Sequence, residues 1–431
     1  MPTFLLAIYT ALILIRPMDW WGPMLEWQLV TVAAIATLLV AFPRILEEGG
    51  GIWNRLPELK VGVAWVLGAT ASFLPIFWLG GMNRVFQDMG KIYVYFFLIF
   101  LLVRSNKDYR ILIWTILLCT VWMAIHAILQ HHRGYGFANQ PPLMRTRSWE
   151  SDEVIVQAKA FGIFEDPNDL CLMFIISVPL FYAEFQTATQ PLLKGLALIG
   201  MPLVGYGVWL TNSRGGYLGV FAMVAAYFVS RTKGYKRWFL IGFSVLFLTL
   251  FAPSRFSAGL VGQQDRSILW GDGMAMFKAN PFFGIGFYQF SYFQVEHKVA
   301  HNTYVEVLAE TGMIGYIPFF LMVYFGVVHL RRAMDFGPLL RQEDRLQMAG
   351  MFSAAVGYFT SIYFLSREKI HVPYILLGLM GALTIRACYT PEMLNMVFVQ
   401  SAKEYRRAVY WALGSVGFMW ITIRIVNSLG Q

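Results

Sequence analysis

Apolar runs of about eighteen or more residues recur along the whole of this 431-residue chain. About 20 apolar residues in a helix span the roughly 30 Å hydrocarbon core of a bilayer. In lipid every backbone N–H and C=O must be satisfied within the chain, so only helices and closed barrels cross it. A barrel would show short segments of alternating polarity, and this sequence shows long unbroken runs. Only 14% of the residues are charged and 57% are hydrophobic, against about 25% charged in ordinary soluble domains. The fold class that follows is an all-α polytopic membrane protein with about 12–13 transmembrane helices in a single transmembrane domain, residues 1–431.

Helices are expected at roughly 3–15, 27–42, 61–79, 90–103, 110–130, 168–186, 192–211, 215–230, 238–253, 302–328, 346–365, 371–386 and 408–427. The opening MPTFLLAIYT has no basic n-region and no small-residue cleavage site, so it reads as a retained first helix. Lys and Arg concentrate in cytoplasmic loops. With the N-terminus inside, the internal loops hold 19 of the 34 basic residues, and the short external loops with the C-terminal end hold 7. The other 8 lie in two long external loops, at about 131–167 and 254–301. Membrane orientation accounts for most of the net charge of +9, which therefore says nothing of nucleic acid. Cys119, Cys171 and Cys388 stand far apart in or beside apolar runs and read as small core residues.

The stretch from Asp265 to Gly315 carries Arg266, His297, His301, Asn302, Glu306 and Glu310 in one block. Unpaired charge in hydrocarbon costs several kcal/mol, so such a block points to a reactive centre. His301 opens a helix, and Asn302, Glu306 and Glu310 follow on one helical face. A histidine at the membrane–water boundary can exchange protons with an extracytoplasmic substrate. Its plain alternative is a residue that only caps or hydrogen-bonds a loop. His297 and His301 have zinc-ligand spacing, but no third ligand is in place, so no metal and no other cofactor is expected.

Arg266 begins an amphipathic stretch, Asp265 to Asn280, with Trp270, Met274 and Phe277 on one side. That pattern suits a helix lying along a membrane surface. Arg214 precedes Gly215-Gly216, which allow close backbone approach. Guanidinium groups bind phosphate bidentately and stay charged, so Arg214 and Arg266 at the outer boundary suit a lipid pyrophosphate, or simply snorkel to headgroups. The loop at 131–167 offers Arg145 and Arg147, which suit an anionic donor or anionic lipid. It ends in a turn entering a helix, with Asn168 or Asp169 expected as N-cap. Glu306 and Glu310 suit sugar hydroxyls, or pairing with Arg inside the bundle. No dinucleotide fingerprint, Walker A or Ser-His-Asp elbow is present.

Three pieces in order, RSILW (266–270), NPFFGIG (280–286) and HNTYVEVLAETGMIG (301–315), resemble the signature region of the O-antigen ligase / O-antigen polymerase superfamily. Ser213-Arg214-Gly215-Gly216 resembles its upstream Arg motif, and Phe164-Glu165-Asp166-Pro167-Asn168 its turn before a membrane helix. The motifs span about 160–325, and the N-terminal third matches in hydropathy alone. Glu165-Asp166 is more acidic than the turn of many members.

The resemblance implies a multi-pass protein of the bacterial inner membrane with its active site facing the periplasm. It implies inverting, metal-independent transfer of a glycan from undecaprenyl pyrophosphate to lipid A–core, to another lipid-linked repeat unit, or to a protein. Carried onto this chain, His301 is the base or the acceptor-orienting group, and Arg214 and Arg266 bind the pyrophosphate; beside these, Asn302, Glu306, Glu310, Trp270, Arg145 and Arg147 are candidate substrate contacts. A transporter of the lipid-linked glycan would instead show repeated halves and charge at the bilayer midplane. A non-catalytic scaffold would leave the Arg/His/Glu clustering unexplained.

Overall fold

The computed structural model describes residues 2–148, 151–232, 234–236, 239, 242, 260–398 and 401–429. The chain is an all-α polytopic membrane protein. Its helices are α1 Pro2–Ile15, α2 Leu29–Arg55, α3 Pro57–Ala71, α4 Leu79–Leu102, α5 Asn106–Arg133, α6 Pro167–Thr187, α7 Pro191–Leu210 and α8 Arg214–Arg231. After these come α9 Leu260–Ala279, α10 Phe290–Phe293, α11 Thr303–Asp335, α12 Gln342–Ser361, α13 Val372–Ala387, α14 Pro391–Val397 and α15 Ala402–Leu429. Among the described residues, nine helical stretches are long and apolar enough to cross a membrane. The expected span at 238–253 lies, but for residues 239 and 242, outside the described residues. Those at 215–230 and 346–365 are helices, α8 and α12, but too polar to count, and α13 is apolar but short.

The chain forms two compact units, one of residues 1–46, 98–248 and 334–361, the other of residues 47–97, 249–333 and 362–431. In the first, α12 packs on α8 and α6, α6 on α7, α7 on α5, and α5 on α1. Small residues allow the close approach. A Cβ on Gly216 would collide with the Cys171 Sγ, and one on Gly219 with the Ser361 hydroxyl. A capping box opens α5, where Ser105 and Asp108 satisfy each other's backbone N–H. The cap of α6 is Asp166, not Asn168 or Asp169. Pro167 takes the first helical position, so the capping carboxylate comes one residue earlier and accepts the Asn168 N–H at 2.8 Å. The expected loop at 131–167 begins inside α5 and holds an antiparallel hairpin, β1 Leu143–Ser148 and β2 Ser151–Gln157.

In the second unit, α9 packs on α15. Gly68 of α3 lies so near α11 that a Cβ there would come within 2.8 Å of the Gly315 Cα. The Trp65 indole donates to the Tyr374 hydroxyl at 2.8 Å and packs against Phe287 and Phe319. The segment expected as the loop 254–301 contains the 20-residue helix α9, and its residues before Leu260 lie outside the described set.

Candidate active site

The HNTYVEVLAETG segment forms the start of α11, and its polar side chains do unequal work. Asn302 caps the helix, its Oδ1 accepting the N–H groups of Tyr304 at 3.0 Å and Val305 at 3.2 Å. The side-chain Nδ2 of this fully buried residue has no hydrogen-bond partner among the described residues. His301 stands just before the cap with φ of 49°, a left-handed backbone that is uncommon for a non-glycine residue. Its ring is partly buried.

Glu306 and Glu310, one turn apart, are both buried and converge on one cation, Lys369. The Lys369 ammonium lies 2.7 Å from Glu306 Oε1, 2.8 Å from Glu310 Oε2 and 3.2 Å from Glu368 Oε1. The other demands of these carboxylates are met by backbone. Glu306 Oε2 accepts the Ala300 N–H at 3.1 Å and the Ser366 hydroxyl. Glu310 accepts the N–H groups of Tyr288 and Phe290, both at 3.0 Å. The expected partner of the two acids was an arginine inside the bundle, and it is a lysine from the turn between α12 and α13.

That turn, Ser366-Arg367-Glu368-Lys369, also carries an acid the sequence reading passed over. Glu368 is fully buried, and neither carboxylate oxygen has a well-aligned hydrogen bond. Burial pushes its pKa up to about 8; Lys369 opposes this, while Glu306 and Glu310 add to it. Burial works against the Lys369 ammonium, but the three carboxylates outweigh it and hold Lys369 well above the ordinary lysine value. One oxygen from each of Glu306, Glu310 and Glu368 lies within 4.8 Å of the others, a grouping that would suit a metal ion. The Lys369 ammonium stands among them and supplies the neutralising charge. Ser366, Arg367 and Lys369, with Tyr288, Glu306 and Glu310, line a cavity of about 300 Å³. The available signal was a short turn, SREK, dense in charge between two apolar helices.

The 280–286 turn braces this helix from the side. The Ile285 and Gly286 N–H groups donate to the carbonyls of Ala309 and Glu310, each at 3.0 Å, and the Met313 N–H returns to Pro281 at 2.9 Å. Gly312, with φ of 58° and ψ of −160°, interrupts α11 at this contact. Tyr288, also at positive φ, presents its ring to Lys369 at 5.1 Å and Arg84 at 5.0 Å.

Among the other expected residues, Arg266 lies on α9, partly buried, and Trp270 one turn on is buried against Tyr363 and Phe364. A Cβ on Gly273 would fall 3.0 Å from the Phe290 ring and collide with Val305, so α9 touches α10 and the first turns of α11. Arg214, Arg145 and Arg147 belong to the first unit. Arg214 is exposed at the first position of α8, behind the Ser213 cap, whose hydroxyl accepts the Gly216 N–H at 3.1 Å and donates to Asn168 at 2.6 Å. Arg145 is exposed on β1, opposite Ile155, and Arg147 lies on the same strand.

Residues 199–320 match the family model Wzy_C, O-antigen ligase. Over this stretch the chain resembles the O-antigen ligase superfamily. It contains Arg214, Arg266, Trp270 and the whole His301–Glu310 segment, and it supports a membrane ligase or polymerase of glycosyltransferase type. No curated protein matches the chain.

Proposed function

We propose that the protein belongs to the O-antigen ligase superfamily and transfers a glycan from undecaprenyl pyrophosphate to an acceptor hydroxyl at the periplasmic face of the bacterial inner membrane. The observation that carries this reading is the matched segment itself, which holds Arg214, Arg266 and, just before α11, His301, and lies in a protein built of membrane-crossing helices. The acceptor we favour is lipid A–core.

In this reading His301 accepts the proton of the acceptor hydroxyl as its oxygen attacks the anomeric carbon, and an ordinary histidine pKa of about 6.5 suits that task. The bond from that carbon to the pyrophosphate oxygen breaks on the opposite face, giving inversion. The departing pyrophosphate needs charge stabilisation more than protonation, and Arg266, in the same unit as His301, supplies it without a metal ion. Glu306 and Glu310 face the cavity beside Tyr288 and Ser366 and reach the sugar from there. Asn302 and Trp270 shape the entrance of α11, and Arg145 and Arg147 draw in the anionic donor.

The test is transfer by the purified protein in nanodiscs from an undecaprenyl-pyrophosphate-linked oligosaccharide, with and without lipid A–core, His301→Ala as control. One transfer event to lipid A–core that requires His301 is the expected result. A ladder of longer lipid-linked glycans without lipid A–core makes the chain a polymerase instead. Transfer to a supplied acceptor protein alone makes it a protein ligase. Wild-type turnover by His301→Ala removes His301 from the role of base.

A further inference from the structure

His301 owes its backbone conformation to its neighbours. A non-glycine residue in the left-handed region is strained and persists only where the surroundings over-determine it. Two anchors flank His301. On one side the Ala300 N–H is held by Glu306 Oε2 at 3.1 Å, the carboxylate reaching back from the second turn of α11. On the other, Asn302 is fixed by its capping bonds, and its carbonyl accepts the Glu306 N–H at 2.9 Å. Glu306 thus touches both ends of the turn that presents His301. The carboxylate is itself held in place by the Lys369 ammonium at 2.7 Å and the Ser366 hydroxyl.

We infer that the Glu306 side chain, steadied by Lys369 and Ser366, is the positioning device for His301, its oxygen on the Ala300 N–H setting the left-handed turn that aims the imidazole. The inference rests on the reading of His301 as the base, and it gives Glu306 a role through backbone geometry, distinct from contact with the sugar. A second tie joins the same segments independently. The Thr303 hydroxyl donates to the Leu365 carbonyl at 2.6 Å and accepts the Arg367 N–H at 2.9 Å. Removing the Glu306 carboxylate therefore releases the 300–301 turn while the 365–367 turn stays docked.

The experiment compares wild type, Glu306→Ala, Glu306→Gln, His301→Ala and the Glu306→Ala/His301→Ala double variant as full chains in nanodiscs. Two readouts are taken. The first is carbethoxylation of His301 by diethyl pyrocarbonate, followed by mass spectrometry. The second is transfer kinetics with the undecaprenyl-pyrophosphate-linked oligosaccharide.

Glu306→Ala is expected to change the His301 modification rate several-fold. It should also lower kcat by up to about 100-fold, the cost of a misplacement of the order of 1 Å, with KM for the donor unchanged. Glu306→Gln should restore the His301 modification rate, because its amide oxygen still accepts the Ala300 N–H. The double variant should be no slower than His301→Ala. An unchanged modification rate in Glu306→Ala overturns the inference, as does a rise in KM with kcat intact, or multiplicative losses in the double variant. Should Glu306→Ala fail to fold, Glu306→Gln decides: a wild-type His301 modification rate supports the inference, and a rate changed several-fold overturns it. Wild-type turnover by His301→Ala strikes at the base assignment instead, whatever Glu306 does.

Discussion

A single buried acid shows how far one residue can shift the behaviour of the site. Glu368 has no aligned hydrogen bond, and its folded pKa of about 8 stands above the ordinary glutamate value of 4.5. The folded chain therefore holds a proton that the unfolded chain has lost between those two values. The stabilisation linked to that proton is complete below pH 4.5 and is lost as the pH rises through 8. Glu368→Gln keeps the neutral form at every pH. Its thermal midpoint in detergent should exceed that of wild type by an amount that grows from pH 5 to pH 8 and then levels. A difference independent of pH would show that Glu368 is not the titrating group. Lys369 lies at the other extreme. Removing one partner of a buried ion pair costs about 3–5 kcal/mol, so Lys369→Ala should lose most folded protein in fluorescence-detected size exclusion. Adding Glu310→Gln should recover part of it, since one fewer carboxylate is then left unpaired. Histidine, asparagine and both glutamates of the 301–310 block were legible because they cluster in one apolar-flanked segment. Glu368 and Lys369 were not, because their meaning lies in contacts with residues about sixty positions away.

At the scale of elements, the pieces NPFFGIG and ETGMIG are a single construction. Gly284 (φ 70°) and Gly312 (φ 58°) face each other's backbones, and a Cβ on either would collide with the opposing segment. Both fall where L side chains are strained and where no space exists. Gly312→Ala should therefore destabilise the protein by at least about 1–3 kcal/mol from backbone strain alone, read as a lowered thermal midpoint. It should also depress transfer, because the Glu310 carboxylate that holds the Tyr288 and Phe290 N–H groups lies two residues away. A wild-type midpoint would contradict the strain argument. The sequence marked both pieces but not their union, since nothing in either predicts that segments some thirty residues apart share backbone hydrogen bonds. The region 254–301 illustrates the converse. Its amphipathic pattern over 265–280 pointed to a helix, yet the polar composition around it read as loop, and α9 begins by Leu260. Hydropathy alone separates spans from non-spans, not helices from loops.

Across the molecule, the Lys/Arg count assigned each connecting segment to one side of the membrane, and the contacts inside each unit can be held against that assignment. In the first unit, Thr3 meets Asp108 and Arg110 meets Glu343, all in segments assigned inside; Trp20 stacks on Phe161 and Asn168 meets Ser213, all assigned outside. In the second, His329 meets Glu58 and Arg332 meets Glu404 on the inner side, while Lys369 meets Glu306 and Phe287 meets Ser72 on the outer. Each of these pairs joins segments of the same assigned side. That agreement supports the grouping of loops into two sides. Which side is the periplasm rests on the positive-inside bias alone, and impermeant-reagent labelling separates the two. The native cysteines Cys119, Cys171 and Cys388 are buried, so background should be low. Single cysteines at exposed positions Tyr135 and Glu296 should react with a membrane-impermeant maleimide applied to bacterial spheroplasts. Cysteines at Lys107 and Tyr235, also exposed, should react only after permeabilisation. The reverse pattern would turn His301 toward the cytoplasm. The donor would then be met before export of the glycan, and the transfer reaction proposed for the outer face would fall with it.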